Sequence, residues 1–176
     1  MEDRLDRVRT LIRDVPDFPK PGILFKDITP MLGDAAAFAA VLDVLAERYA
    51  SQGVKKILGV EARGFIFGAA LAVRMGVGFV PARKPAKLPW RTDRVTYALE
   101  YGSDSIEIHQ GSFAPGERVL VVDDVIATGG TAVAAVELAR LQGADVVGAA
   151  FVIELSFLDG RAKLPHGLDV FSVLRF

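Results

Sequence analysis

The stretch VLVVDDVIATGGT, residues 119–131, runs a series of aliphatics into two adjacent carboxylates, Asp123 and Asp124, and then into small and hydroxylated residues. An aliphatic run bounded by turn residues reads as a buried strand, and the glycines that follow it read as a loop opening a helix. The spacing predicts a central strand over 118–123 and a helix from Gly130 to Leu141, with Glu137 and Arg140 on its wet side. Two like charges side by side are costly unless something cationic or hydroxylated meets them. In open parallel sheets, ligands bind beyond the carboxyl ends of the strands, which is where this pair falls.

Working outward, KKILGVEARGFIFGAALAVRMG, residues 55–76, predicts a short buried strand, a tight turn at Arg63-Gly64 and an apolar helix ending at Gly76. VGFVPARK then supplies another strand, and strand, helix, strand in this order points to a parallel sheet. After the central helix, DVVGAAFVIEL and DVFSVLRF give two more strands. Toward the amino end, Leu5, Val8, Leu11 and Ile12 are spaced for an amphipathic helix over 2–13, and PDFPKPG at 16–22 forces an extended segment. Asp34 can cap a further helix bearing Phe38, Leu42, Leu45 and Tyr49 on one face before Gly53. PAKLPWRTDR, residues 85–94, reads as a loop, and VTYALEYG with SIEIHQG as a solvated antiparallel hairpin around Gly102-Ser103. The expected product is a single α/β domain over 1–176. It has three layers, with a central mostly parallel sheet flanked by helices, an amino-terminal hood over about 1–34, and a protruding flexible loop and hairpin, mobile over about 85–101.

With 176 residues, 51% of them hydrophobic, the chain can bury a sizeable core. Its mean hydropathy is +0.33. A formal net charge of -1 leaves no global basic field for nucleic acid. No cysteine is present, which excludes disulfides, thiolate nucleophiles and zinc thiolate sites and makes the cytoplasm the expected home. The amino terminus lacks the apolar core of a signal peptide, and no run is long enough to span a membrane, so a soluble protein is expected. His109 and His166 form neither an HxxxH nor an HExxH pattern, and no GxSxG, GxxxxGK[ST] or strand-borne GxGxxG occurs.

The loop after the acidic pair offers what one phosphate needs: Ala127 and its neighbours Thr128, Gly129, Gly130 and Thr131 supply hydroxyls, exposed N–H groups and the positive end of a helix. There is no lysine of the kind that binds triphosphates, so a monoester is expected. Asp123 and Asp124 suit the vicinal hydroxyls of a ribose, with Mg²⁺ near them but held mainly by the substrate. The plainer alternative is a capped helix after a glycine turn.

The string VLVVDDVIATGGT resembles the phosphoribosyl pyrophosphate signature of the type I phosphoribosyltransferases, and its place after LEYG and IEIH resembles the adenine branch of that family. PDFPKPGILFKDITPML is similar to the family's hood, EARGFIFG to its pyrophosphate loop and RKPAKLP to the base of its mobile loop, so the likeness covers nearly the whole chain. The signature alone is shared with the orotate and hypoxanthine-guanine branches; the hood discriminates.

The resemblance implies transfer of the phosphoribosyl group to adenine, giving AMP and pyrophosphate, with Mg²⁺ as cofactor and a homodimer as the assembly. Arg63, Arg83, Lys84, Lys87 and Tyr101 would contact pyrophosphate, although a run of cations such as 83–91 is by itself an ordinary solvated loop. The family carries glycine where this chain has Ala86. The peptide matching Glu61-Ala62 tends to be cis in relatives; an ordinary trans turn is the alternative. Glu100, otherwise a solvated charge at a strand end, would be the acid or base. Phe25 would face the purine while backbone groups of Leu24 and Lys26 read its edge, unless Phe25 simply packs in a core. Rival readings are a 6-oxopurine phosphoribosyltransferase and a non-catalytic regulator that senses phosphoribosyl pyrophosphate; the hood argues against the first, and the lack of a basic surface against the second.

Overall fold

The computed structural model describes residues 2–98 and 102–176. Helix α1 (Glu2–Thr10) buries Val8, and Ile12 is buried just beyond it. The helix ends before the expected residue 13, because the Leu11 and Ile12 N–H groups bond to the Val8 and Arg9 carbonyls in a tightened last turn, each at 3.2 Å. Arg13–Pro16 then leaves as β1 and pairs antiparallel with β2 (Leu24–Asp27), a small sheet that the sequence reading did not foresee. The proline-rich segment is the connection between these strands, closed where the Asp17 carboxylate accepts the Gly22 N–H at 2.8 Å.

A short α2 (Thr29–Leu32) buries Met31 and hands over to α3 (Ala35–Tyr49). Asp34 caps α3 as expected, its carboxylate accepting the Ala37 N–H at 2.9 Å. Next come β3 (Lys56–Val60), α4 (Gly64–Met75), ended by left-handed Gly76, and β4 (Gly78–Ala82), parallel to β3 from Lys56↔Gly78 to Val60↔Ala82.

Strand β5 (Thr92–Ala98) pairs with β6 (Ser103–His109) in a hairpin that starts earlier than expected, so residues 92–94 belong to a strand and not to the loop. The reason is register: Thr92 opposes His109, and Asp93 receives the side-chain amide of Gln110 at 2.9 Å. Nor is the hairpin solvated on both sides. Ile106 and Ile108 are buried, and Val95 and Tyr97 pack beside them against the core that includes helix α5 (Gly130–Leu141).

Strand β7 (Arg118–Ile126) precedes α5 and reaches three residues past the expected end, so Asp123 and Asp124 lie inside it, Asp123 opposite Phe151 of β8 (Asp145–Glu154). With β9 (Asp169–Arg175) the parallel sheet has the order β4-β3-β7-β8-β9. Its alternating side chains feed two cores: Leu120 and Val122 join α3 and α4 on one side, Val119 and Val121 join α5 and the hairpin on the other. That is the expected three-layer α/β type I fold, here with every strand of the main sheet parallel. Two 3₁₀ turns, Ser156–Leu158 and Gly160–Lys163, link β8 to β9.

Candidate functional site

Two cavities meet at the carboxyl end of β7. The first, about 160 Å³, is lined by Asp123 and by the turn Ala127–Thr131. Gly129 takes φ 83, a conformation open to glycine at little cost, and it starts α5 with no side-chain cap. The first N–H groups of α5 are therefore left to an anion, reinforced by the helix dipole. The second cavity, about 190 Å³ and mostly apolar, is lined by Leu24, Phe25 and Lys26 of β2 together with Arg63, Asp124 and Leu155. Val125 and Ala127 line both, so the two are contiguous.

Successive strand residues direct their side chains apart, and the acidic pair divides between the cavities: Asp123 opens on the turn, Asp124 on the β2 side. Asp124 is 4% exposed, and the Arg63 Nε lies 2.8 Å from its Oδ2. Arg63 also stands over the Phe25 ring, 5.0 Å from its centroid. It thus lines the β2 pocket. The Asp123 Oδ1 accepts the Asp124 N–H at 2.9 Å. Burial pushes the Asp123 carboxyl well above the usual carboxylate range, and the Asp124 charge pushes it the same way. Burial raises Asp124 too, while Arg63 pulls it back. Only a glycine fits where α4 begins: a Cβ on Gly64 would lie 2.6 Å from the Asp123 Oδ1.

Phe25 meets Phe18 edge to face, with centroids 5.2 Å apart. The Lys26 ammonium turns to Asp14 at 2.6 Å and lies over the Phe176 ring, so its backbone and not its charge is what it can offer a ligand. Strand β2 is paired by β1 on one edge, which leaves the backbone groups of its other edge outside any sheet.

Two of the cations after β4, Arg83 and Lys84, are held by carboxylates. Arg83 donates to the Glu61 Oε1 at 2.9 Å and to the Lys87 carbonyl at 3.0 Å, and the Lys84 N–H donates to the Glu61 Oε2 at 2.8 Å. The Arg83 hydrogen bond holds the Glu61 carboxyl below its usual range. The Lys84 ammonium pairs with Asp104 and reaches the Tyr97 hydroxyl at 3.3 Å. That hydroxyl accepts from the Thr131 Oγ1 at 3.1 Å, joining the cation loop to the glycine turn. Tyr97 and Asp104 escaped the sequence reading; the alternation that puts Val95 and Tyr97 on the inner face of β5 was the available signal. The Glu61–Ala62 peptide is cis, and Ala86 has φ 63, a left-handed conformation at the position where the resembled family carries glycine. Glu100 and Tyr101 lie outside the described residues.

Comparison with known proteins gives the same outline. A family model for the phosphoribosyl transferase domain matches residues 31–170. The chain is 57% identical over 179 residues to an adenine phosphoribosyltransferase of Sorangium cellulosum, covering 99% of this chain and 90% of the relative. A crystal structure of adenine phosphoribosyltransferase from Rhodothermus marinus superposes with a TM-score of 0.96 at 48% identity, covering all of both chains (100% each). The Saccharomyces cerevisiae enzyme, complexed with an imino-altritol bisphosphate and adenine, superposes with a TM-score of 0.93 at 40% identity, covering 99% of this chain and 100% of that one. In sequence and in fold, the chain belongs to the adenine phosphoribosyltransferase family of type I phosphoribosyltransferases.

Proposed function

We propose that the chain transfers the phosphoribosyl group of phosphoribosyl pyrophosphate to adenine, giving AMP and pyrophosphate, as purine salvage requires. The observation that carries this reading is the contiguity of an uncapped helix start and an apolar pocket through Val125 and Ala127, with Asp123 on one side and Asp124 on the other. A nucleoside monophosphate has the same layout, with a phosphate, a diol and a flat base in sequence. In this assignment Thr128, Gly129, Gly130 and Thr131 hold the 5′-phosphate, and Asp123 and Asp124, one from each cavity, meet the ribose hydroxyls. Phe25 stacks on the base while the Leu24 and Lys26 backbones read its edge. Those groups suit a donor-bearing amine and would be left unpaired by a 6-oxo group.

During transfer the bond from the anomeric carbon to the pyrophosphate oxygen breaks, its electron pair leaves with pyrophosphate, and adenine N9 bonds to the carbon through an oxocarbenium-like state. No enzyme nucleophile is needed. Arg83, Lys84 and Lys87 stabilise the charge that develops on pyrophosphate. Glu61 and Asp104, which hold two of these cations in the free protein, keep them placed until the ligand's oxygens compete. Glu100 assists at the purine's imidazole edge and Tyr101 covers pyrophosphate.

The site also fits a magnesium ion. Asp123 presents a carboxylate, a hard oxygen donor, on the turn cavity, and among the described residues no group of three His, Asp or Glu side chains converges. The substrate's own oxygens would then supply most of the coordination shell. When bound, Mg²⁺ neutralises charge on the departing pyrophosphate.

No helix among the described residues is long and apolar enough to cross a membrane. Ile66, Ala69 and Val73 are exposed at helical spacing along α4, an apolar stripe that supports a homodimer. The test is adenine-dependent release of pyrophosphate with and without Mg²⁺, repeated with hypoxanthine and guanine and on Glu100→Gln. Metal-dependent release with adenine alone, reduced in the variant, is expected. Binding of phosphoribosyl pyrophosphate without release, or a preference for an oxopurine, would contradict the reading.

A further inference from the structure

The phosphate turn does not stand alone: a second glycine, Gly160, which is not part of the turn cavity's lining, is pressed against its back. A Cβ built on Gly160 would lie 2.1 Å from the Ala127 carbonyl oxygen and 2.7 Å from the Gly129 nitrogen, and one built on Gly129 would lie 2.3 Å from the Gly160 carbonyl oxygen. The contact is therefore backbone against backbone from both sides, and neither position admits a side chain without moving the other by about an ångström.

The segment behind the turn is itself fixed. Arg161 grips the buried Glu154 at the end of β8 with a fork, its Nε donating at 2.9 Å, and Arg175 meets the same carboxylate at 3.3 Å. The Ser156 N–H donates to the Phe176 carbonyl at 2.8 Å and the Leu155 N–H to the Ile126 carbonyl at 3.0 Å. Held this way to the ends of β7, β8 and β9, residues 155–161 form a stop behind the turn.

We propose that Gly160, backed by the Arg161–Glu154 pair, is a positioning residue that sets the height of the Ala127–Gly129 backbone and thereby the affinity of the turn for the 5′-phosphate of its ligand. This rests on the assignment of the turn to that phosphate. It needs no contact between Gly160 and the ligand: Ala127 and Gly129 line the turn cavity, and a displacement of about 1 Å in a binding group can cost about a hundredfold in rate.

The experiment compares Gly160→Ala and Arg161→Lys with the unaltered chain, reading the KM for phosphoribosyl pyrophosphate, the KM for adenine and competitive inhibition by ribose 5-phosphate. We expect Gly160→Ala to raise the first KM and the ribose 5-phosphate inhibition constant by at least about tenfold, with the adenine KM within about twofold. Arg161→Lys, which keeps the charge but loses the fork, should do the same to a smaller degree, about threefold, and gives the reading if the alanine variant does not fold. Equal loss of both KM values, or phosphate affinity unchanged in a folded variant, overturns the proposal. Failure of ribose 5-phosphate to compete in the unaltered chain would instead sink the assignment of the turn.

Discussion

Replacing Arg63 with methionine should destabilise the free protein by removing the counter-ion of a buried carboxylate. Its Nε and the Asp124 Oδ2 are 2.8 Å apart, and at an effective dielectric constant of about 20 two unit charges at that distance attract by about 6 kcal/mol. The Arg63 side chain is 36% exposed, so solvent screens the pair and rehydrates the free arginine, and the net loss shrinks to about 2–3 kcal/mol. For a domain of this size that lowers Tm by about 4–12 °C. The loss must depend on pH in a defined direction. Burial already raises the Asp124 pKa above its ordinary 3.8 in the folded state, against the pull of Arg63. A carboxyl raised by folding binds its proton more tightly folded than unfolded, so stability falls as pH climbs from the unfolded value through the folded one. Removing Arg63 raises the folded value further and deepens that fall. Thermal melts should therefore show little deficit near about pH 3 and the full deficit near about pH 8. Arg63→Met combined with Asp124→Leu, which removes both charges, should recover more than half of the lost stability. A single variant melting within a degree of the parent at the higher pH, or a double variant no better than the single, would refute the reasoning.

Gly64→Ala should push the Asp123 carboxylate off its seat, since the new Cβ falls 2.6 Å from Oδ1; denaturant unfolding should show a loss of about 1–3 kcal/mol, and affinity for ribose 5-phosphate should fall with it. Glu61→Gln should cost about 1 kcal/mol near neutrality. Its folded pKa is lowered by Arg83, so that contribution is present above the ordinary 4.5 and vanishes as pH falls through the folded value, which urea titrations at two pH values will read. Ala86→Gly should relieve a left-handed alanine, φ 63, by about 1–2 kcal/mol while adding about 0.5–1 kcal/mol of unfolded-state freedom; a net gain near 0.5 kcal/mol is expected in chemical denaturation, and a loss above 1 kcal/mol would contradict it.

What could be seen in the sequence was what depends on local pattern. Aliphatic runs such as LVV at 120–122 declared the parallel strands, and Asp34 and Gly76 marked helix ends by chemistry that acts within one turn. The glycine turn with its threonines was legible because an uncapped helix start has few substitutes. What stayed hidden depends on partners distant in the chain. Nothing in RDVP announces a strand; it becomes one because LFKD offers an edge. The fate of Arg63 was equally out of reach, since its place beside Asp124 and Phe25 is set by how α4, β7 and β2 converge. Tyr97 shows the same limit: one alternating residue among several, it matters because β5 lies across α5 and brings its hydroxyl to Thr131.

The central claim is that one cradle holds a sugar phosphate while the adjoining pocket takes the base. A crystal structure of the AMP complex tests it most directly. The account predicts the phosphate within hydrogen-bonding distance of the Thr128–Thr131 backbone, the ribose hydroxyls at Asp123 and the purine against Phe25. AMP seated away from the turn, or bound with its base in the cavity of Thr128 and Gly129, would contradict it.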